Sequence, residues 1–275
     1  MRRWNFLKIC LGVTALAAGS GFPALAENVS AKYSVRLIGL SLGTAGLTAS
    51  VDAGQYKIEA NARLSGIASM VSNSRGVAVS TGGIIPGKPA PSTYATTSSS
   101  STVTRTVRMA LNAGTVRGVD ISPPLENAPD RIPVTDSHKR AVVDPLSALV
   151  MPVAGNEPLL GPAACNRTIP VYDGYTRFDV ALAYVGSKQV SATGYKGPAV
   201  VCSARYVPIS GHRPNRKVTE FMAQNREMEV WLVPLESSRV MLPFRISVAT
   251  MVGTTIIEAQ EFSVGPTTRA ASVAR

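Results

Sequence analysis

Runs in which apolar and polar side chains alternate strictly constrain this chain more than any other feature of its sequence. In residues 32–39, Tyr33, Val35 and Leu37 occupy every second position, with polar side chains between them. The run 55–64 repeats the pattern after a turn at Asp52-Ala-Gly54. Alternation with period two puts the apolar side chains on one face of a β-strand. The two runs therefore predict an antiparallel hairpin with one buried face.

Further strand signals follow along the rest of the chain, separated by glycine and proline turns. Asp173-Gly174 predicts a two-residue type I′ hairpin turn, because both of its positions require positive φ. No repeat of fixed period and no second core is visible, so one domain is expected. The additional strands are predicted at 75–84, 93–100, 102–111, 115–121, 168–172, 175–184, 199–207, 228–233, 239–250 and 254–264.

The best helix candidate begins at about Pro145, directly after Asp144. Asp144 suits an N-cap, Pro145 suits the first helical position, and Leu146, Leu149 and Val150 share one face. A single short helix in a strand-rich chain packs most simply inside the sheet or across its open end. We therefore predict an all-β fold, a single strongly curved antiparallel sheet forming an open barrel or spiral, with one short helix packed inside or across an end.

The first 26 residues have the pattern of a secretory signal peptide. Arg2, Arg3 and Lys8 precede an apolar run from 9 to 18, and Ala24-Leu-Ala26 offers a cleavage site. General secretion fits better than twin-arginine export, whose motif spacing is imperfect here. We expect cleavage after Ala26, a periplasmic product with no transmembrane anchor, a β-rich domain over 27–264 and a flexible tail over 265–275.

The cysteine count predicts one disulfide. Cys10 lies in the signal segment, which leaves Cys165 and Cys202 in an oxidising compartment, where a pair normally closes. Neither belongs to a C-x-x-C motif, so the bridge is expected to be structural rather than redox-active.

The chain carries 28 Lys and Arg against 17 Asp and Glu. Removal of the three signal-peptide cations leaves 25 against 17, a net charge of about +8. A basic exported protein favours anionic partners, such as lipid or polysaccharide, over nucleic acid. The most plausible contact lies around the loop 212–217. Its candidate residues are Arg205, His212, Arg213, Arg216 and Lys217, with a solvated loop as the alternative.

No residue pattern supports catalysis. A triad could be imagined from His138, Asp136 or Asp144, and Ser147, but the chain has no G-x-S-x-G elbow and Ser147 falls within the predicted helix. Asp173 and Asp179 are explained by a turn and by the polar side of a strand. No metal motif is present, and neither metal nor cofactor is expected.

Several motifs in order along the chain resemble the proteobacterial family called domain of unknown function 3108. The resemblance implies an exported, β-rich envelope protein and carries no catalytic assignment. The motifs are Tyr33-x-Val-x-Leu-x-Gly39, Asp144-Pro-Leu-Ser-Ala-Leu149, Cys165-x-Arg167, Val171-Tyr-Asp-Gly174-x-x-Arg-Phe-Asp179, Gly194-Tyr-x-Gly-Pro198 and Arg205-Tyr-x-Pro-Ile-x-Gly-His-Arg-Pro214.

Three functions follow as hypotheses. The first is a monomeric, non-enzymatic envelope protein that binds another envelope protein or an anionic envelope component. The second is a carrier that holds an acyl chain or another apolar ligand within the curved sheet, near Tyr33, Leu37, Ile58 and Phe178. The third, a hydrolase, requires His138 or His212 to be buried beside a hydroxyl and a carboxylate.

Overall fold

The computed structural model describes residues 26–52, 54–65, 74–126 and 128–266. Antiparallel strands form most of this part of the chain. The short helices are α1 (Pro162–Cys165) and α2 (Lys217–Gln224), with 3-10 turns at Asp136–Lys139 and Ser147–Leu149. The strands are β1 (Glu27–Leu37), β2 (Leu40–Asp52), β3 (Gln55–Leu64), β4 (Arg75–Ile85), β5 (Lys88–Ser99), β6 (Thr104–Asn112), β7 (Thr115–Ser122), β8 (Met151–Pro152), β9 (Arg167–Tyr172), β10 (Arg177–Ala192), β11 (Tyr195–Ser210), β12 (Met228–Leu235), β13 (Val240–Thr250) and β14 (Gly253–Pro266).

All fourteen strands belong to one sheet, in which sequence neighbours are usually spatial neighbours. The order is β7-β6-β5-β4-β3-β2-β1-β14-β13-β12-β11-β10-β9, and β8 pairs with β13 away from this path. The first and last strands meet in the middle of the sheet, where Glu27 lies opposite Pro266 and Tyr33 opposite Ala259. The sheet thus consists of two meanders joined by the pairing of β1 with β14.

The two outer strands, β7 and β9, do not pair with each other, and the connection between β7 and β8 bridges them. The Val142 N–H donates to the Gly114 carbonyl at 2.9 Å, beside the β6–β7 turn. On the other side, the Val143 N–H donates to Pro170 O at 2.8 Å and its carbonyl accepts from Tyr172 N–H at 2.9 Å. The predicted fold class, a curved antiparallel sheet that stays open, is confirmed.

The segment that follows Asp144 lies inside the curve, although it is less helical than the sequence predicts. Only Ser147–Leu149 forms a 3-10 turn, while Leu146, Ser147 and Val150 are buried. We call residues 142–150 the plug. The longest helix among the described residues is instead α2, which begins at the end of the predicted loop 212–217 and covers residues for which the sequence predicts no element.

Large apolar side chains from β12, β13 and β14 fill much of the remaining interior. Leu232, Phe244 and Phe262 are at most 2% exposed. The disulfide Cys165–Cys202 forms as predicted, joins α1 to β11 and has a Cα–Cα distance of 5.5 Å. Both cysteines are fully buried in the same cluster as Leu232.

The predicted type I′ turn at Asp173-Gly174 is wrong in detail. The connection has four residues, from the end of β9 at Tyr172 to the start of β10 at Arg177. Only Gly174 of the predicted pair has positive φ, at 107°. The Asp173 carboxylate explains the longer turn, because it accepts the N–H groups of Tyr175 and Thr176 at 3.0 and 2.6 Å.

The predicted chain ends fall largely outside the described residues. Strand β1 begins at Glu27, directly after the expected cleavage position, and β14 runs to Pro266, two residues into the expected tail. Nearly all of the signal-like segment (residues 1–25) and the rest of the tail (residues 267–275) lie outside the described residues. Export and cleavage stay predictions.

Candidate ligand-binding site

Small side chains on the inner face of three neighbouring strands leave part of the sheet interior unfilled. Alternation in β2, β3 and β4 directs Ala45, Ala60, Ala62, Gly76 and Ala78 toward the inside, level with the buried Leu47 and Ile58. The space over them is an apolar cavity of about 250 Å³. Its other walls include Tyr33, Leu47, Leu149, Pro243, Ile246 and Ile257.

A wider opening of about 490 Å³ adjoins this cavity. Ala45, Ala62, Gly76 and Ile257 line both spaces, which places the opening directly outside the apolar cavity. We call this opening the mouth. Its remaining walls mix aliphatic, hydroxyl and basic side chains: Val35, Thr44, Arg63, Leu64, Ser74, Arg75, Ser98, Ser99, Ser100, Val103 and Arg105.

The charge of the mouth is entirely positive among the described residues that line it. Arg105 shares the inner face of β6 with the buried Val107 and Met109. Its Nε is buried and has no hydrogen-bond partner in the described part of the chain. A guanidinium with unused donors beside an apolar cavity can bind a carboxylate or phosphate through charge-assisted hydrogen bonds.

A second apolar cavity of about 220 Å³ lies on the far side of the plug. Leu149 and Ile246 line both apolar cavities and stand between them. Of the residues predicted to surround a ligand, Tyr33 lines the first cavity and Phe178 the second. Ile58 is fully buried in the core, and Leu37 lines neither space.

A buried polar network fixes the plug against the sheet. The Asp144 carboxylate accepts the N–H groups of Leu146 and Ser147 at 3.0 and 2.9 Å, and the hydroxyls of Ser147 and Ser80. Tyr56 and Ser147 hydroxyls are 2.6 Å apart. Asp144 is not the N-cap predicted from the sequence, since that position is Leu146, but its carboxylate accepts the N–H groups at the start of the turn. The bonds of Asp144 to Ser80 on β4 and of Ser147 to Tyr56 on β3 fasten the plug in place.

Burial is the dominant influence on the ionisation of this network. It raises the pKa of Asp144 above its ordinary value, against the opposing effect of hydrogen bonds from Ser147, Ser80 and Leu146. Burial likewise raises the pKa of Tyr56. No ion pair of the described residues includes Asp144. The network is therefore well suited to hold the plug through hydrogen bonds rather than through a charge pair.

The structure does not assemble the triad considered from the sequence. Ser147 contacts Asp144, but Ser147 is fully buried. The His138 ring instead accepts the Thr135 N–H through Nδ1 at 3.1 Å. His212 is half-buried, and its Nδ1 has no partner among the described residues. In the described part of the chain, neither imidazole forms a hydrogen bond or an ion pair with a carboxylate.

The two carboxylates considered for glycoside hydrolysis have structural partners. Asp173 accepts the backbone N–H groups of its own turn, and Asp179 pairs with Arg177 at 2.6 Å. A third residue of the family motifs, Arg167, donates to Pro152 O at 2.8 Å and Ala163 O at 2.6 Å. These residues hold together the segments around the disulfide.

The residues predicted to contact an anion or partner are distributed over three elements. Arg205 is exposed on β11, whereas Arg216 and Lys217 are exposed at the start of α2. Arg213 pairs with Asp130 at 2.7 Å, and this interaction lowers the pKa of Asp130. Only Arg216 and Lys217 are adjacent, exposed and outside the ion pairs of the described chain.

Arg105 and the small inner residues were not predicted from the sequence to line a ligand site, although a signal was present. Arg105 alternates with Val107 and Met109 in one strand, and Ala60 and Ala62 alternate with charged or polar neighbours in another. The same period-two rule that predicted the strands places all of them on the inner face. Across residues 26–52, 54–65, 74–126 and 128–266, no cluster of His, Cys, Asp or Glu could hold a metal ion.

Among the helices of the described residues, none has the length and apolar character needed to cross a membrane.

Comparison with known proteins identifies a family and a similar fold. A model of the family described as Protein of unknown function (DUF3108) matches residues 32–260. No curated protein is significantly similar in sequence. Among solved structures, a β-barrel-like protein of domain of unknown function DUF1849 from Brucella abortus is similar with a TM-score of 0.51 and 9% identity. The match covers 88% of this chain and 99% of that chain, and at this identity it shows the fold alone.

Proposed function

The chain belongs to the DUF3108 family of proteins of unknown function, and we propose that it is an exported, non-enzymatic carrier that holds an acyl chain inside its curved sheet. The observation that carries this proposal is the cavity over the small inner residues of β2–β4, open through a basic mouth. Apolar cavities with a few polar groups at one side are typical of small-molecule binding sites.

Shape and polarity favour a molecule with an apolar body. The inner cavity offers Tyr33, Leu47, Leu149 and Ile257 for contact and almost no polar group. Water finds few hydrogen-bond partners in such a space. An acyl chain would instead gain about 25 cal/mol of binding free energy for each Å² of apolar surface that it buries there. The mouth then leaves room for the polar end of the ligand.

Charge favours an anionic polar end. Arg105, Arg63 and Arg75 line the mouth, and no Asp or Glu is among its described lining residues. Arg105 has a buried Nε without a partner in the described chain, so a carboxylate or phosphate would satisfy it. The proposal therefore unites two predictions from the sequence, an apolar ligand and an anionic envelope component.

The localisation belongs to the same proposal. The signal-like segment 1–26 and the disulfide between Cys165 and Cys202 both support an oxidising, exported environment. A non-catalytic role is supported by the burial of Ser147 and by the absence of an imidazole beside it in the described structure.

The direct test is to identify and then replace what the cavity holds. Mature protein, residues 27–275, purified from its own envelope would be analysed by native mass spectrometry before and after lipid extraction. The extracted protein would then be titrated with a fluorescent long-chain fatty acid. We expect a co-purifying acyl compound and saturable binding of the probe with a stoichiometry of one.

Substitutions on opposite faces of the sheet provide the matched control. Ala78→Phe fills the inner cavity and is expected to weaken probe binding by at least about tenfold, because the ring occupies the acyl site. Ala110→Phe makes the same change on the exposed outer face of β6 and should leave binding unchanged. Absence of both a co-purifying acyl compound and probe binding would overturn the proposal, as would equal binding by the folded Ala78→Phe variant.

A further inference from the structure

Two neighbouring hairpin turns expose large aliphatic side chains to solvent. Ile38 and Leu40, at the β1–β2 turn, are each 67% exposed, and Met251 and Val252, at the β13–β14 turn, are 52% and 67% exposed. The turns are in contact, since the Ile38 N–H donates to Thr254 O at 3.1 Å. Together these four side chains form one apolar projection, which we call the apolar tip.

The backbone at Ile38 makes this exposure more informative. Ile38 has φ of 49° and is followed by Gly39 with φ of 78°. The β6–β7 turn has nearly the same pair of angles, 47° and 76°, with the small Ala113 in place of isoleucine. A β-branched residue is unfavourable at positive φ, where Asn or Gly is preferred. The Ile38 side chain lies over Gly253 of the neighbouring turn, yet most of its surface stays in solvent. A bulky residue held exposed at an unfavourable φ points to a contact with something outside the fold.

The topology places the apolar tip at the same end of the sheet as the mouth. Successive strands run in opposite directions, so the last residues of β1, β3, β5, β11 and β13 all lie at one end of the sheet. At this end lie both turns of the apolar tip, the borders of the mouth at Leu64, Arg75 and Val103, and helix α2. We call this the mouth end.

Exposed cations accompany the apolar tip at the mouth end. Arg216 and Lys217 begin helix α2, and the following Val218 is 61% exposed. Arg63 and Arg75 are cross-strand partners and are also exposed. None of these four cations is in an ion pair of the described chain. Exposed aliphatic groups beside unpaired cations complement the acyl region and the phosphate groups of an anionic lipid surface.

We propose that the mouth end docks on an anionic lipid bilayer, with the apolar tip inserted at the headgroup level and Arg216 and Lys217 held against lipid phosphates. This orientation turns the mouth of the cavity toward the membrane. The inference goes beyond the carrier proposal and does not depend on it, because the apolar tip and the cavity share no residue.

Vesicle co-sedimentation of the mature protein tests the docking. Vesicles of phosphatidylcholine with phosphatidylglycerol are expected to bind the protein, and vesicles of phosphatidylcholine alone to bind it more weakly. The double variant Ile38→Asn/Leu40→Ser should reduce binding by about tenfold or more, since it removes apolar surface that enters the interface. Arg216→Ala/Lys217→Ala should reduce binding to the anionic vesicles but not to vesicles of phosphatidylcholine. Added salt should weaken the binding of wild-type protein to the anionic vesicles in the same way, because it screens the charges.

Two controls separate docking from folding. Ile38→Asn places a preferred residue at positive φ, so thermal stability should stay equal or rise while vesicle binding falls. Val185→Ser removes a side chain that is 59% exposed on β10, away from the mouth end, and should leave vesicle binding unchanged.

Failure of docking is distinguishable from failure of the carrier function, because fatty-acid titration needs no vesicles. The docking proposal is overturned if wild-type protein does not sediment with anionic vesicles, even if the apolar tip captures a protein instead. It is also overturned if the Ile38→Asn/Leu40→Ser variant binds those vesicles as well as wild type.

Discussion

The inner faces of β2–β4 and of β12–β13 belong to one continuous sheet but carry opposite kinds of side chain. The first has Ala60, Ala62 and Ala78 over an open cavity. The second has Leu242 and Phe244, each at most 2% exposed. Hydrogen-bonded backbone is similar in both regions, so the difference lies entirely in side-chain volume.

A binding protein needs a stable core and room for its ligand, and here different strands meet these two requirements. The side chains of β12–β13 fill space and stabilise the fold, together with the disulfide behind them. The small residues of β2–β4 contribute less buried surface and leave room for another molecule. The plug, held by Asp144 and Ser147, stands between the two apolar cavities, with Leu149 lining both.

The largest expected effect is the loss of the disulfide beside the filled region. Its cysteines are 37 residues apart, and in the chain-entropy model a loop of this length stabilises by about 4 kcal/mol. Cys165→Ala/Cys202→Ala should lower the free energy of unfolding by about that amount in urea denaturation. Fatty-acid binding by the protein that remains folded should persist, because neither cysteine lines the open cavity.

Truncation in the filled region and enlargement in the open one should have unequal consequences. Leu232→Ala is expected to cost about 3 kcal/mol, because it leaves a cavity in a fully packed core. Ala60→Leu adds a side chain over existing space and should change stability by less than about 1 kcal/mol. Equal destabilisation by the two substitutions, measured by chemical denaturation, would show that both regions are equally packed.

The plug between the regions should respond to pH through Asp144. Asp144→Asn is expected to cost about 2 kcal/mol by disturbing the hydrogen bonds to Ser80 and Ser147. Since burial raises the pKa of Asp144, folding favours the protonated carboxyl. The stabilising contribution of Asp144 is therefore complete at acidic pH and declines as pH rises through the folded-state pKa.

Denaturation of wild type and Asp144→Asn across a pH series checks this sign. The stability difference should be greatest at the acidic end and smaller at neutral pH. A difference that instead grew with rising pH would mean that the network prefers the ionised carboxylate.

A change in ligand affinity, rather than in stability, is expected at the polar side of the open region. Arg105→Gln should weaken binding of a long-chain fatty acid by about tenfold, equivalent to about 1.4 kcal/mol. Binding of the methyl ester of the same fatty acid should be unaffected, since it carries no charge for the guanidinium to engage. Calorimetric titration of both ligands against both proteins distinguishes a headgroup contact from a general loss of affinity.

The strands were predictable because their signal is local. Tyr33, Val35 and Leu37 alternate within one segment, and so do the inner residues of the other long strands. The pairing of β1 with β14 was not predictable in this way, because no local pattern says that residues 27–37 meet residues 255–266. The disulfide was an exception among long-range contacts, since only two cysteines remain after the signal segment.

Helical elements show the limits of local patterns more clearly. Asp144 was predicted to be the N-cap of a helix, but the helical part is only Ser147–Leu149, with Leu146 at the N-cap position. The Asp144 carboxylate instead also accepts a hydrogen bond from Ser80 of β4, a tertiary contact that no local pattern predicts. Helix α2 was missed because its sequence lacks a side-chain cap and follows a turn-rich segment. The cavity could not be predicted from local patterns, because it depends on which small residues lie opposite one another on neighbouring strands. Only the pairing register of the strands determines this.

The meeting of the first and last strands has a consequence for how the chain acquires its structure. Glu27 finds its partner Pro266 only after almost the entire polypeptide has been made, and contacts of such sequence separation make folding slow. A chain built this way cannot complete its sheet until its final segment emerges. This delay suits the proposed export, because a chain that has not completed its sheet can still pass unfolded through a narrow secretion pore.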